Sequence, residues 1–362
     1  MYIRNFLCNS TNPNLTINKR MSDSITWLRF PMIFLIILLH CYSVQRLNGN
    51  HEFYFRFLYP FSLWLGETGV PVFFFISGYL FFLSKKNYLQ NLQTRIQTLF
   101  IPYLIWNSIL LSLYVMLLYI GHPVEIVGRK IADYNFIDYL RLYWDRGFFD
   151  NGNFVPLLCP LWYIRNLIIM SILSPIFYNI IKFTREPFIM GLLVWWLMTP
   201  NNAFIPQTTL FFCLGAYFSI FSINPLKITY SNRRIFMAFF IVFTFTDIFS
   251  HVSVGTSINL QIHRLSLICN IPFLFLIADF CMRHGFHHDF LSKSGFIVFC
   301  VHYPIVVLLR KFCISTFYNA NDGIHILLYF ICVIISTLLS LGIFFILDKY
   351  FPKLKNLLSG NR

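Results

Sequence analysis

Ten stretches of this chain are apolar for long enough to cross a bilayer: roughly 26–46, 61–84, 97–120, 155–181, 187–200, 204–223, 235–250, 262–282, 294–316 and 324–347. A helix advances about 1.5 Å per residue, so the hydrocarbon core of about 30 Å takes about 20 residues to span. Inside lipid every backbone amide and carbonyl needs a partner within the protein, and a helix supplies it internally. The chain therefore reads as an all-α polytopic membrane protein with about ten transmembrane helices. Its composition agrees: 57% hydrophobic and 12% charged residues leave too little polar surface to clothe a soluble core of 362 residues.

The net charge of +14 raises the question of nucleic acid. The basic residues fall singly or in pairs between apolar stretches, with no run and no single basic face, which excludes a phosphate-tracking groove and fits loops at an anionic membrane surface. With both termini cytoplasmic, far more Lys and Arg fall on the inner side than on the outer. Deleting the short fifth stretch, "PFIMGLLVWWLMTP", reverses that bias over the C-terminal half, so the stretch is kept as a span. Residues 1–23 then form a short polar cytoplasmic tail, 24–350 the membrane domain and 351–362 a basic cytoplasmic tail. The largest outer loop, 121–154, contains "RKIADYNFIDYLRLYWDRGFFDNGN"; it suits either contact with a glycan or lipid head group or an ordered cap over the helix ends. The expected location is the inner or plasma membrane of a cell, with multiple passes.

The nine cysteines include no C-x-x-C pair and read as small buried hydrophobes. "RHGFHHD" (283–289) gathers His284, His287, His288 and Asp289 without a second ligand group, and no metal is expected there. Ser77, in "FFFISGYLFF", lacks a nucleophile elbow and reads with Gly78 as a place of close helix packing.

Ionisable residues inside spans face a protein interior or a wet cavity, and they mark functional sites by default. Four are prominent: Arg29, His40, Arg165 and His302. Arg29 and His40 are eleven positions apart, three helical turns plus about 20°, so they project from nearly one face and are separated by roughly 16 Å along the axis. A guanidinium at the cytoplasmic edge can hold an anion; an imidazole deeper in can exchange a proton with a substrate. Arg165 needs an anion, carbonyls or water, and Glu67 and Asp247 are candidate partners in other spans. The bland readings are a snorkelling anchor for Arg29, a satisfied core imidazole for His40 and a structural ion pair for Arg165.

These residues stand in segments that resemble integral-membrane acyltransferase family 3. The likeness runs over about residues 24–350 and rests on six segments in order: "SITWLRFPMIFLIILLH", "GVPVFFFISGYLFF", "RIQTLFIPYLIWN", "LWYIRNLIIMSILSP", "FFCLGAYFS" and "SGFIVFCVHYPIV". The resemblance implies that His40 is the essential histidine and Arg29 its partner arginine. It also assigns Arg95 to the basic residue before the third span, Arg165 to the arginine of the fourth segment and His302 to the C-terminal span histidine. Where many members carry a second arginine after Arg95, this chain has Thr98, so Lys85 or Lys86 is the remaining source of a second phosphate contact.

The expected activity is transfer of an acyl group, most simply acetyl, from cytosolic acyl-CoA, used as co-substrate, to a hydroxyl of a cell-surface or lipid-linked polysaccharide. His40 would be the base, Arg29 and Arg95 would bind the phosphates of the coenzyme, and Arg165 or His302 would steady the oxyanion or orient the acceptor. A covalent acyl-histidine is the competing route. Two other classes of function fit a membrane protein: a transporter or flippase of a glycan or lipid intermediate, and a non-catalytic member of an export assembly. Only the enzyme consumes thioester. Oligomeric state has no signature in the sequence.

Overall fold

The computed structural model describes residues 13–42, 51–84, 86–147, 154–200, 204–250 and 257–361. Among the described residues, each of the ten apolar stretches is mostly helical. α1 (Pro13–Cys41) is followed by α2 (Glu52–Tyr59), which runs through a wide π turn at Pro60–Leu65 and a 3₁₀ turn into α3 (Gly69–Leu83). α4 (Tyr88–Arg95) opens on a reciprocal capping box, Asn87 with Gln90, and passes through a second π turn into α5 (Ile101–Tyr119). After the outer loop come α7 (Trp162–Thr184), α8 (Glu186–Met198), α9 (Phe204–Ile220), α10 (Pro225–Ser231), α11 (Arg233–Ser250), α12 (Ser257–Arg283), α13 (Asp289–Thr316), α14 (Asp322–Tyr350) and α15 (Pro352–Ser359). Among the described residues, seven helical stretches are long and apolar enough to cross a membrane, or eight if the 91° bend between α9 and α10 lies within one span. The other two expected spans fall short for physical reasons. α8 has only 13 residues, and α11 carries Arg233, Arg234 and Asp247 within 18. Large apolar side chains such as Met116, Leu338 and Phe345 point outward, as a lipid-facing surface requires.

Two sequence expectations change in detail. α1 begins at Pro13, so the second half of the expected N-terminal tail is helix; Arg20 there pairs with Asp279 of α12 at 2.6 Å. The C-terminal tail is docked: Leu358 accepts the indole N–H of Trp106 at 3.0 Å, and Leu358 and Ser359 are buried. The described part of the outer loop is ordered, which is one of the two readings of its sequence. It holds a two-residue hairpin, Glu125–Ile126 against Arg129–Lys130, turning at Val127 and Gly128 with positive φ, and the helix α6 (Phe136–Arg141). Asn135 and Asp138 form the capping box of α6, and Arg129 reaches Asp138 at 2.9 Å.

Two crossings set the architecture. α3 and α9 meet backbone to backbone at Gly78 and Gly215: a Cβ on either would stand 2.0 Å from a carbonyl oxygen of the other helix, that of Phe212 or Phe75. α1 lies along α13 in the same direction, with Arg29 and Ile33 against Gly295 and His40 beside His302. The ends of α1 and α8 and the starts of α7, α9 and α12 thereby converge around one opening.

Candidate active site

That opening is a cavity of about 460 Å³. Its walls carry His40, Glu67, Tyr163, Gln207, His263 and Arg264 among aromatic side chains that include Trp162, Trp196 and Phe204. His40 sits in the last turn of α1, half-buried, with its ring centroid 5.4 Å from that of His302 and 5.0 Å from Tyr303, which meets it edge-on. Tyr303 is in turn held by Arg146 from the outer loop. His302 is fully buried near the middle of α13. Its Nδ1 lies 3.0 Å from the Val298 carbonyl oxygen, which can only accept, so Nδ1 carries the hydrogen. In the neutral ring Nε2 is then a bare lone pair, and that atom has no partner among the described residues. Beside the neighbouring imidazole, the charged groups near His40 are Arg146 and Arg310, and among the described residues no carboxylate backs it.

Arg29 lies eleven residues back along the same helix, away from the cavity and exposed, and among the described residues it has no ion pair or hydrogen bond. Arg95, at the end of α4, is half-buried with its guanidinium 5.4 Å from the centre of the Phe81 ring. It is also within electrostatic range of the Tyr163 hydroxyl, which hydrogen-bonds Ser77 at 3.0 Å. Both cations are open to an anion. Lys86 is exposed, bonds Thr94 at 3.0 Å and borders a separate groove of about 380 Å³; Lys85 lies outside the described residues. At Thr98, where the resemblance leads one to expect a second arginine, the docked C-terminus takes the space. Gly360 turns with φ +67°, and a Cβ there would be 2.6 Å from the Thr98 Cα.

Arg165 does not join this group. Its guanidinium donates to the carbonyl oxygens of Trp144 at 2.5 Å and Phe154 at 2.8 Å and to the Asn166 side chain at 3.0 Å, and it lies over the Trp144 ring at 5.1 Å. Only 5% exposed, it is absent from the cavity wall. Carbonyl and amide oxygens take four of the five N–H groups of a guanidinium that cannot shed its proton, so Arg165 ties the outer loop at Trp144 and Phe154 to the start of α7. Nor does it pair with Glu67 or Asp247.

Those two carboxylates belong to a group that the sequence reading passed over. His263 of α12 bridges them, with Nδ1 2.8 Å from Asp247 and Nε2 3.1 Å from Glu67. Asp247 also accepts from Tyr59 at 2.8 Å and Ser266 at 2.7 Å, which closes it off completely. Both ring nitrogens of His263 face carboxylates, the arrangement of an imidazolium between two anions. Arg264, next along the helix, directs its guanidinium onto the carbonyl oxygens of Trp196, Leu197 and Thr199, capping the end of α8. An arginine and a histidine near the start of an apolar segment are cheap and common, and nothing in one sequence ties position 263 to 67.

The geometry is a membrane-embedded cavity with paired imidazoles and, eleven residues back along the helix that carries one of them, a cation without an ion pair among the described residues. The comparisons with known proteins agree with a group-transfer enzyme. The family described as "Acyltransferase domain" matches residues 22–345. The succinoglycan biosynthesis protein ExoH of Rhizobium meliloti (strain 1021) is 25% identical over 366 residues, covering 96% of this chain and 94% of that protein. No solved structure matches. A match over nearly the whole membrane region shows the family, and the chain is a multi-pass membrane acyltransferase.

Proposed function

We propose that this enzyme moves an acyl group, most simply acetyl, from acyl-CoA to a sugar hydroxyl of a cell-surface or lipid-linked polysaccharide. The observation that carries the reading is the shared line of α1: a guanidinium at Arg29 without an ion pair among the described residues, and an imidazole on a cavity wall at His40, roughly 16 Å further along the helix axis. A nucleotide thioester has that form, with anionic phosphates at one end and a reactive carbonyl on a long flexible arm. Arg29 and Arg95 suit the phosphates as charge-assisted donors, and Lys86 borders a groove near them that can take part of the nucleotide. The name of the relative supports the acceptor class, since it belongs to the biosynthesis of a polysaccharide.

In this reading His40 accepts the proton of the acceptor hydroxyl as its oxygen attacks the thioester carbonyl. The bond from carbonyl carbon to sulfur then breaks, and His40 returns the proton to the departing thiolate, so ester and free thiol are the products. The bare Nε2 of His302 cannot donate to an oxyanion in the neutral tautomer, so its part is to accept: it orients the hydroxyl or the His40 ring. The Tyr163 ring borders the cavity, and its hydroxyl donates to the Phe73 carbonyl at 3.4 Å and meets Ser77 at 3.0 Å, with Arg95 behind it. The test is transfer of label from acyl-CoA to glycan by membranes containing the protein. The wild type should transfer. His40→Ala at equal abundance should lose about 10²–10⁴-fold in rate, the usual size of a general-base contribution. Unchanged transfer by that variant removes His40 from the chemistry.

A further inference from the structure

Three arginines from different helices meet over one tyrosine ring, away from the cavity. The guanidinium of Arg20 on α1 lies 5.7 Å from the centre of the Tyr230 ring on α10. Those of Arg233, at the start of α11, and Arg283, at the end of α12, lie 4.9 Å and 5.6 Å from it. Like charges gathered this closely repel unless anions offset them. Among the described residues, Asp279 is the one carboxylate paired with any of the three. It is buried, takes Arg20 through Nε at 2.9 Å and Nη2 at 2.6 Å, and takes Arg283 through Nε at 3.0 Å. Arg233 has no ion pair among the described residues, and Asp23, one turn along α1 from Arg20, pairs with none of the three. Three positive charges against one negative leave a surplus of two, with the Nη groups of Arg283 and the whole fork of Arg233 left to face an acceptor.

The position of the cluster narrows the ligand. Lys19–Cys41 and Asn259–Arg283 are long and apolar enough to span a membrane, so Arg20 and Arg283 stand at span ends, level with lipid head groups. There α10, which carries Tyr230, turns 91° from α9. Phe280, one turn back into the span from Arg283, is exposed, and so is Met237, one turn along α11 from Arg233. A surplus of guanidinium charge beside exposed apolar side chains complements a phospholipid, with its phosphate at the rim and its acyl chains along the helices. The coenzyme fits this place less well. Arg20 and Arg29 are nine residues apart, two and a half helical turns, so they project from opposite faces of α1.

We infer that Arg20, Arg233 and Arg283, gathered on Tyr230, form a binding site for the phosphate of an anionic phospholipid in the leaflet around the start of α1. Purified full-length protein, stripped of lipid in detergent, is titrated with phosphatidylglycerol or phosphatidylcholine, and bound lipid is counted by native mass spectrometry. Both probes carry a phosphate diester and acyl chains, but only the first is a net anion, and it should bind more tightly. Arg233→Gln, which breaks no ion pair among the described residues, should weaken phosphatidylglycerol by about fivefold, the usual worth of one basic residue at an anionic surface. Phosphatidylcholine should be unaffected. Tyr230→Leu, which removes the ring that gathers the guanidinium groups, should weaken phosphatidylglycerol as well, and it carries the test if the first variant misfolds. Arg29→Ala, on the opposite face of α1, should bind lipid as the wild type does. Excess coenzyme A should not displace the lipid, and Arg233→Gln should keep its KM for acyl-CoA within about twofold of the wild type. Equal binding of the two lipids by the wild type, or phosphatidylglycerol binding unchanged in both variants, overturns the site. Displacement by coenzyme A, or a raised KM for acyl-CoA in Arg233→Gln, gives the cluster to the coenzyme and overturns the lipid. Loss of acyl transfer by the wild type would instead count against the proposed function and leave the lipid titration standing.

Discussion

His302 shows how a single hydrogen bond decides a role. Because Nδ1–H is committed to the Val298 carbonyl, the ring can offer only its lone pair, next to His40. His302→Gln should therefore lower kcat with little change in KM for acyl-CoA, whereas Arg29→Ala should raise that KM by about tenfold to a hundredfold at nearly constant kcat. Initial-rate kinetics separate the two, and a kcat loss in Arg29→Ala with unchanged KM contradicts the division of labour. Arg165 belongs to stability instead. Arg165→Met leaves two loop carbonyls and the Asn166 side chain without their donor, and a cost of about 3 kcal/mol is expected from such buried losses. A lowered Tm and easier proteolysis of the outer loop would report it. Arg29, His40 and His302 were legible because a charge or imidazole in an apolar run stands out. The Glu67–His263 bond joins residues 196 positions apart, near the ends of segments where ionisable groups are ordinary, so only packing could disclose it.

Among the elements, the crossing of α3 and α9 is the least forgiving. Gly78→Ala or Gly215→Ala puts a methyl where a carbonyl oxygen already stands at 2.0 Å, and the helices must part. A loss on the order of 1–3 kcal/mol is expected for such overpacking, read as Tm in detergent, and an unchanged Tm contradicts the crossing. The outer loop has a pH limit of its own. The Asn135 backbone N–H and the Arg129 guanidinium hold the Asp138 carboxyl below its usual range. A depressed folded value means that the stabilisation is complete above the ordinary carboxylate value of about 3.9 and is lost as pH falls through the lower folded one. Proteolysis of the loop should accelerate only in strong acid, and Asp138→Asn should show fast cleavage already at neutral pH. The helices themselves were plain from runs of apolar residues, and Ser77–Gly78 was already readable as a packing point. The start of α1 at Pro13 and the docking of α15 were not, because both depend on partners far along the chain: Asp279 for Arg20 and Trp106 for Leu358. Segment length alone also could not separate a spanning helix from the short α8 or the bent α9–α10 pair.

At the scale of the whole molecule, the cations and the cavity lie toward opposite ends of the bundle. α1 and α13 run together from the exposed Arg29 beside Gly295 to the imidazole pair, and the ends of five helices gather around the opening there. The proposed reaction would take its activated donor from one face of the membrane and its acceptor from the other. Sealed vesicles of known orientation test this directly, with labelled acyl-CoA confined to one side and glycan to the other. Labelled glycan should form only when acyl-CoA is on the Arg29 side and glycan on the cavity side. Equal product with both substrates on the same side would contradict a reaction carried through the bilayer along α1.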